Sequence, residues 1–340
     1  MTIAIPHWPY VYGLPSGTGR LRSIPEDFKV YENLSYEPSG EGEHVFLQIQ
    51  KVGENTEYVA RQLATYAGVR QRDIGYAGLK DRHAVTTQWF SVWLPGKSEP
   101  DWLGLNSPSI TVLKSVRHAR KLKRGGLSGN RFEIVIRNWQ GDQMSASDKL
   151  SAIKLNGIAN YYGEQRFGNQ GQNVNKALAM FKGSKVKREQ RGLYLSAARS
   201  FLFNQILGAR VVEGTWNRAI PGDILMFDCS QSCFKSPCPD AEIITRIESK
   251  AIHPSAVLWG KGTQDASADA LAIEQQVVEA HEELAQGLLA SGMEKARRAL
   301  RVNVQNLEWQ FADPTTLTLW FNLPAGSYAT ALLREIVEAI

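Results

Sequence analysis

A charged cluster, Lys80-Asp81-Arg82-His83, is the part of this 340-residue chain whose residue types are best suited to chemistry. Gly75 and Gly78 precede it, and glycine lets the backbone turn sharply or lets a ligand approach closely. An acid between two cations should stay ionised, because nearby opposite charge favours the carboxylate. Asp81 is therefore a candidate nucleophile or base, although an Asp beside Lys and Arg is often only a solvated turn.

The elements that must position this cluster can be predicted from the pattern around it. Apolar or β-branched runs flank the cluster, so residues 74–92 are predicted to form a strand, a tight loop and a second strand. Alternating runs that begin at Phe28 and at Val45 predict two further half-buried strands. Residues 55–68 have one apolar face and predict a helix that Gly68 can end.

The string from Gly78 to Gln88, GLKDRHAVTTQ, closely resembles the signature of the TruD family of tRNA pseudouridine synthases. In that family the Asp of the Lys-Asp pair is the catalytic residue, which implies this role for Asp81. The resemblance extends along nearly the full chain. It implies an α+β fold, in which an α/β TRUD domain is inserted into a catalytic domain with a mixed and antiparallel sheet of the pseudouridine-synthase type.

One further string and one single position near the N-terminal end can be compared with the family. The F-x-V-x-E pattern fits residues 28–32, and the family's Phe lies against the target base, which implies this role for Phe28. The family commonly has Lys at the position of Arg22, a change that keeps the charge but alters the donor geometry. Arg22 and Lys80 are both candidates for holding the Asp81 carboxylate ionised.

The remaining family strings add substrate-binding candidates. Asn130 and Phe132 match G-N-x-F, whose Asn hydrogen-bonds the target nucleotide, while Phe132 is a candidate supporting residue. Alternatively, Asn130 belongs to a glycine-rich turn and adopts a left-handed conformation. Tyr328 replaces the Phe of L-P-A-G-S-F-A-T, which keeps an aromatic face for stacking and adds a hydroxyl that needs a partner.

A basic segment lies between the first strands and the Asn130 string. Residues 102–132 contain no Asp or Glu, and the chain has a net charge of +5. Such a run is often a solvated face, but Lys and Arg clusters also contact backbone phosphates. The candidates for contacts with an RNA backbone are Arg117, Arg120, Lys121, Lys123 and Arg124.

The predicted domain organisation follows the family resemblance. Residues 1–155 would form the first part of the catalytic domain, residues 156–304 the inserted TRUD domain, and residues 305–340 the part that completes the sheet. Alternating residues from Leu307 to Phe311 and from Leu317 to Leu323 predict an antiparallel hairpin in this last part. We also expect a helix after Ser327, with Val337 on its inner face.

The two longest apolar stripes inside the predicted insert indicate helices at residues 194–214 and 267–292. The cysteines of the insert, Cys229, Cys233 and Cys238, could be combined with His253 as zinc ligands, but their spacing matches no familiar zinc pattern. We therefore expect no metal.

The sequence favours an enzyme without a cofactor, because we find no dinucleotide-binding or P-loop fingerprint. The N-terminus lacks the features of a signal peptide, and no apolar run approaches the ~20 residues of a membrane helix, so we expect a cytoplasmic protein. The resemblance implies tRNA as the partner and uridine 13 of the D arm as the substrate. We expect a monomer with no obligatory protein partner and no contact with membranes.

Two other function classes stay open at this point. One is a catalytically silent RNA-binding protein on the same scaffold, against which the intact Lys80-Asp81 pair argues. The other is a hydrolase that uses Asp81 with His83. A hydrolase would release free base or cleaved RNA, whereas a pseudouridine synthase leaves the mass of the RNA unchanged.

Overall fold

A computed structural model describes residues 2–263 and 265–340 of the chain. The chain forms two compact units. The sheet unit comprises residues 15–150, 304–326 and 336–340, and the insert unit comprises residues 1–14, 151–303 and 327–335. Residues 1–14 and 327–335 thus group with the insert, and the domain boundaries given above stay a prediction.

The regular elements are numbered in chain order. The strands are β1 (Gly17–Leu21), β2 (Phe28–Leu34), β3 (His44–Val52), β4 (Ile74–Tyr76), β5 (Val85–Trp93), β6 (Ile110–His118), β7 (Leu127–Gly141), β8 (Ile158–Ala159), β9 (Asp223–Phe227), β10 (Cys233–Ser236), β11 (Ile252–Leu258), β12 (Ala296–Ala299), β13 (Arg301–Val302), β14 (Gln305–Asp313), β15 (Thr316–Pro324) and β16 (Val337–Ala339). The α-helices are α1 (Thr56–Tyr66), α2 (Gln143–Asn156), α3 (Gln172–Phe181), α4 (Arg188–Val212), α5 (Ala241–Glu248), α6 (Ala268–Ala280), α7 (Glu282–Ala290) and α8 (Ala329–Ile336). Short 3-10 helices lie at Pro25–Asp27, Gln71–Asp73, Trp102–Leu105, Glu164–Phe167 and Asn169–Gly171.

The sheet unit is built on one mixed sheet with the strand order β14-β15-β7-β2-β5-β3-β6, to which β1, β4 and β16 add at the sides. β2 pairs with β5 in parallel, whereas β3 and β5 pair in antiparallel register. The alternating residues Val45, Leu47 and Ile49 are fully buried, and α1 packs on them through Val59 and Leu63. The period of two therefore places one face of β3 in the core, as predicted.

The predictions that position the candidate site are confirmed. Residues 74–92 form β4, a loop and β5, and residues 55–68 contain α1. The predicted hairpin is β14 and β15, and β15 pairs with β7, so the C-terminal part completes the sheet of the N-terminal part. The α+β fold class is confirmed as well.

Two secondary-structure predictions are wrong. The helix expected at residues 267–292 is broken into α6 and α7 at His281, whose backbone leaves the helical region with φ −128° and ψ 40°. The His281 ring packs edge-on against Phe201 at 5.0 Å, and this contact accompanies the bend within the insert unit. Val337 was expected in the last helix, but it begins β16 and pairs with Gly17, because the sheet supplies main-chain hydrogen bonds there.

The insert unit has its own core around α4. Its buried stripe includes Ala198, Leu202 and Ile206, which confirms the helix predicted at residues 194–214, although α4 begins earlier, at Arg188. A four-stranded sheet with the order β10-β9-β11-β12 lies in the same unit. Across the part of the chain that the structure describes, no helix is both long and apolar enough to span a membrane.

Candidate active site

Asp81 lies on the loop that joins β4 to β5, and main-chain groups on either side of it are held by side chains. The Gly78 carbonyl oxygen accepts a hydrogen bond from Gln88 Nε2 at 2.7 Å. The Lys80 amide donates to Thr56 Oγ1 at 3.0 Å, and this hydroxyl donates in turn to Gln88 Oε1 at 3.0 Å. Gln88 and Thr56 come from β5 and the first turn of α1, so two regular elements fix the loop just before Asp81.

The side chain of Lys80 points into the core and not toward Asp81. Its Nζ lies 2.5 Å from Glu32 Oε2, and the two side chains are 8 and 0% exposed. Glu32 also accepts a hydrogen bond from the Trp89 amide at 3.2 Å. Burial raises the pKa of the Glu32 carboxyl, while the Lys80 charge opposes this shift. Lys80 was one of the two cations expected to hold the Asp81 carboxylate, but it pairs with the Glu32 carboxylate instead.

Arg22 is the cation that contacts the Asp81 carboxylate. Its Nη2 donates to Asp81 Oδ2 at 2.8 Å, and both side chains are partly exposed. The backbone of Arg22 is left-handed, with φ 58°, a conformation that is strained for a residue with a Cβ. Arg82, the other neighbour of Asp81 in sequence, donates instead to the Gly53 carbonyl oxygen at 3.0 Å. The ion-pair partner of Asp81 is thus remote in sequence.

Phe28 lies next to this ion pair. The Arg22 guanidinium covers one face of its ring, with 4.2 Å between Cζ and the ring centroid. Phe28 is 3% exposed and meets Phe132 edge-on at 6.4 Å, and Phe132 stacks on Phe321 at 5.1 Å. The structure therefore brings Arg22, Phe28, Asp81 and Phe132 together in the sheet unit. Phe132 thus packs against the Phe28 ring.

Asn130 lies within β7, where its backbone pairs with Glu32 of β2 and Leu323 of β15. It is not among the residues with positive φ, so the left-handed turn considered above is wrong. The extended conformation follows from pairing on both sides of the strand. Its Oδ1 atom is buried and has no hydrogen-bond partner within the described residues. Burying an acceptor without a hydrogen-bond partner costs folding free energy. Asn130 Oδ1 is therefore a candidate contact to a ligand.

Tyr328 belongs to the insert unit, whereas Asp81, Phe28 and Asn130 belong to the sheet unit. Its hydroxyl accepts a hydrogen bond from Arg166 Nη2 at 2.6 Å. Its ring meets Tyr162 at 6.0 Å between centroids. Tyr162 and Arg166 lie more than 160 positions before Tyr328, so within this unit the structure joins two segments that are distant in sequence.

The basic segment divides into paired and exposed side chains. Arg117 Nε donates to Glu99 Oε1 at 2.6 Å, and its guanidinium also donates to the Gly42 and Lys97 carbonyl oxygens. The Arg117–Glu99 ion pair therefore holds this part of the structure together. Lys121 Nζ donates to the Arg72 carbonyl oxygen at 2.5 Å. Three of the candidates for RNA-backbone contacts are exposed: Arg120, Lys123 and Arg124.

The cysteines do not form a metal site with His253. Cys229, Cys233 and Cys238 are free and exposed. His253 is buried, with Nε2 2.8 Å from Asp228 Oδ1 and with Nδ1 accepting from Arg301 Nε at 2.9 Å. Over residues 2–263 and 265–340, no group of three or more His, Cys, Asp or Glu side chains is arranged to hold a metal ion.

Sequence reasoning missed a fully buried lysine beside Asp81. Lys51, in β3, is 0% exposed, and its Nζ donates to the carbonyl oxygens of Asp81 at 3.0 Å and of Glu54 at 2.7 Å. The alternation of Val45, Leu47 and Ile49 places position 51 on the same buried face, so a lysine there was a detectable signal. Glu32 could have been found likewise, because it follows Phe28 and Val30 at a spacing of two.

The chain is similar to known proteins over nearly its whole length. The family model for tRNA pseudouridine synthase D (TruD) matches residues 7–185 and 169–336. The chain is 50% identical over 332 residues to a tRNA pseudouridine synthase D of Methylococcus capsulatus, covering 97% of this chain and 94% of that protein. It is 46% identical over 338 residues to the protein of the same name from Hydrogenovibrio crunogenus, covering 99 and 97%.

A solved structure supports the fold. A crystal structure from Methanosarcina mazei that carries the same family name matches with a TM-score of 0.68 at 22% identity, covering 98% of this chain and 95% of that one. The family model and the two relatives each match nearly the whole chain. The chain therefore belongs to the TruD family of tRNA pseudouridine synthases, which are isomerases.

Proposed function

We propose that this protein isomerises uridine 13 in the D arm of tRNA to pseudouridine, with Asp81 as the catalytic nucleophile. The observation that carries the proposal is the Arg22–Asp81 ion pair at 2.8 Å, placed beside the Phe28 ring on a loop anchored by Thr56 and Gln88. The charge-assisted hydrogen bond from Arg22 orients the carboxylate, whose oxygen is the atom that can attack carbon.

The reaction needs only a carboxylate and proton transfer. The Asp81 carboxylate acts at C1′ of the ribose, either by bonding to it or by assisting formation of a glycal, and the N1–C1′ bond breaks. The uracil then turns and C5 bonds to C1′. In the covalent route the Asp81–C1′ bond breaks at this point, and in the glycal route the proton that Asp81 took from C2′ returns to C2′. C5 then loses its proton and N1 gains one. Attack of Asp81 on C6 of the base is the older alternative. The route is an isomerisation, so it requires neither a group donor nor a redox cofactor.

The target base must leave its stack to reach Asp81, at a cost of a few kcal/mol. Asn130 supports the recognition of such a base, because its buried Oδ1 has no partner among the residues described and its amide suits the N3–H and carbonyl groups of uracil. Phe28 offers a ring for stacking, provided that the Arg22 guanidinium leaves the face that it now covers. Tyr328 is retained as a base contact on the sequence match.

The exposed side chains of Arg120, Lys123 and Arg124 are proposed to contact tRNA phosphates. Arg117 and Lys121, whose donors are bonded to other protein groups, would contribute less. We further propose that the protein acts in the cytoplasm as a monomer, without an obligatory protein partner.

The test is conversion of a tRNA transcript by the purified protein, with pseudouridine mapped at each uridine. A transcript with cytidine at position 13 serves as the control. We expect modification at position 13 alone, and we expect it to continue in the presence of a chelator. Binding without modification would indicate a silent RNA-binding protein, and released base or cleaved RNA would indicate a hydrolase. Loss of turnover in chelator that zinc restores would show a metal requirement.

A further inference from the structure

Lys51 is a buried cation whose ammonium is bonded to main-chain carbonyl oxygens. Lysine is almost never fully buried unless it is paired, because removing an ammonium group from water is costly. Lys51 is 0% exposed, yet its Nζ donates to the carbonyl oxygens of Glu54, at 2.7 Å, and of Asp81, at 3.0 Å. Side chains retained at such a cost are concentrated at functional sites.

The ammonium group is not needed to form β3. The backbone of Lys51 pairs with Thr86 on one side and with Ile110 on the other, and these strand pairings do not involve the side chain. An apolar side chain of similar length would suit the inward-facing position better. The bonds of Nζ go instead to two loops, the one that follows β3 and the one that carries Asp81.

We propose that Lys51 is a positioning residue for Asp81, and that its buried ammonium fixes the catalytic loop by bonding the Asp81 carbonyl group. The inference rests on the proposed catalytic role of Asp81. Lys51 holds the main chain of Asp81, while Arg22 holds its carboxylate at 2.8 Å. With both ends fixed, the direction of the carboxylate is set before a substrate arrives. A displacement of about 1 Å in such a group can cost about 100-fold in rate.

The charge on Lys51 gives the proposal a second measurable consequence. The pKa of Lys51 is lowered to about 8, chiefly by burial; the Asp81 carboxylate opposes this shift, the Lys80 charge adds to it, and the Glu54 carboxylate opposes it. Below that pH the ammonium makes charge-assisted bonds to the carbonyl oxygens, and above it a neutral amine makes weaker ones. The turnover number of the wild type should therefore fall on the alkaline side, with a midpoint near pH 8.

The experiment compares Lys51→Met, Lys51→Arg and the matched control Lys29→Met in the full-length protein. Lys29, in β2, is half-buried and pairs with Glu133 at 2.7 Å, so its replacement also removes a lysine bond from the sheet unit. Single-turnover rates and tRNA affinity are measured from pH 6 to 9.5. Ionisation of the RNA affects the rate of every variant equally at a given pH, so its effect cancels in the ratio of two variants' rates. Hydrogen exchange of the amides at residues 78–84 is measured in the free proteins.

We expect Lys51→Met to lower the rate about 10- to 100-fold, because a misplacement of about 1 Å in a reacting group can cost about 100-fold. The affinity for tRNA should stay within about 2-fold, because phosphate contacts elsewhere supply it. Exchange at residues 78–84 should become faster in Lys51→Met and stay unchanged in Lys29→Met. Lys51→Arg should recover most of the rate and lose the alkaline fall near pH 8, because arginine stays protonated.

Three results would overturn the proposal: a wild-type rate in Lys51→Met, unchanged exchange in its loop, or an alkaline fall near pH 8 that persists in Lys51→Arg. If Lys51→Met does not fold, the wild-type and Lys51→Arg profiles still decide the question. Failure of the proposed function would look different. In that case the wild type would make no pseudouridine, or Asp81→Asn would remain active, whereas hydrogen exchange would still report whether Lys51 holds the loop.

Discussion

Arg166 Nη2 donates a hydrogen bond to Tyr328 Oη at 2.6 Å within the insert unit, and Arg166 Nη1 donates to Ser196 Oγ at 2.9 Å. The Tyr328 hydroxyl, which distinguishes this chain from the family string, thus has a partner. The Arg166 guanidinium also lies 5.4 Å from the centroid of the Tyr162 ring, and Tyr162 itself contacts Tyr328. Arg166 therefore contacts both tyrosines. The hydrogen bond from Arg166 orients the Tyr328 side chain and explains why a hydroxyl is present, without a part for it in the reaction.

Tyr328 is predicted to act through its ring. Tyr328→Phe should keep the rate within about 5-fold, because a neutral hydrogen bond contributes only about 0.5–1.5 kcal/mol. Tyr328→Ala should lose about 10- to 100-fold in the rate at low tRNA concentration, on the order of the stacking energy of one base. Ser196→Ala is the control, since it removes a bond of Arg166 and leaves Tyr328 untouched. A Phe variant as poor as the Ala variant would show that the hydroxyl takes part in the reaction.

Asp81→Asn should separate chemistry from binding and folding. The change is nearly isosteric, and it removes the charge and the nucleophilic oxygen together, so turnover should fall below detection. Binding of tRNA should persist, because affinity resides mainly in phosphate contacts. The melting temperature should change little, since an ion pair between partly exposed groups such as Arg22 and Asp81 contributes about 0–1 kcal/mol. Appreciable pseudouridine formation would remove Asp81 as the catalyst, and early melting would indicate a structural residue.

The exposed basic side chains should determine the salt dependence of binding. Replacing Arg120, Lys123 and Arg124 with Ala should flatten the plot of log affinity against log salt by about 0.7–0.9 for each phosphate that is no longer neutralised. Arg117→Ala is the matched control, because that guanidinium pairs with Glu99 at 2.6 Å. The binding of tRNA would be titrated at several salt concentrations. An unchanged slope in the triple variant would mean that the segment is only a solvated face.

The Glu32–Lys80 pair should be costly to break from one side. Lys80→Met leaves Glu32, which is 0% exposed, as an unpaired buried charge, and this should lower the free energy of unfolding by about 3–5 kcal/mol at pH 7. Adding Glu32→Gln should restore much of the loss, because no buried charge remains. Denaturant titration of both variants measures the difference. Equal stability of the single and double variants would contradict the prediction.

The instability of Lys80→Met should also diminish as the pH falls. Burial already raises the pKa of the Glu32 carboxyl in the folded protein, and removing the Lys80 charge should raise it further. The folded state then binds a proton that the unfolded state releases, so lowering the pH through the folded-state pKa of Glu32 stabilises the variant relative to the wild type. Repeating the titrations from pH 8 down to pH 5 would test the sign. A stability gap that widens on acidification would contradict it.

Much of the site could be predicted because its main-chain geometry is local. The strand, loop and strand at residues 74–92 and the inward positions of Phe28 and Phe132 follow from alternation and glycine placement. The partners of the charged residues could not be predicted in this way. The sequence places Lys80 and Arg82 beside Asp81, but only the parallel pairing of β2 with β5 brings Glu32 to Lys80. Likewise, no local pattern predicts that Arg22, 59 positions away, reaches Asp81, although Arg22 was one of the two cations expected to do so.

The pairing of the two chain ends has a consequence for synthesis on the ribosome. β7 pairs with β15, and β1 pairs with β16, so the sheet that carries Asp81 contains strands from both ends of the chain. At about 5–20 residues per second, β7 waits about 9 to 37 s between its own emergence and that of β15. During that time its edge is open to pairing with other chains. Nascent or truncated chains that end before Thr316 should therefore depend on chaperones, and this sheet should be among the last parts of the protein to form.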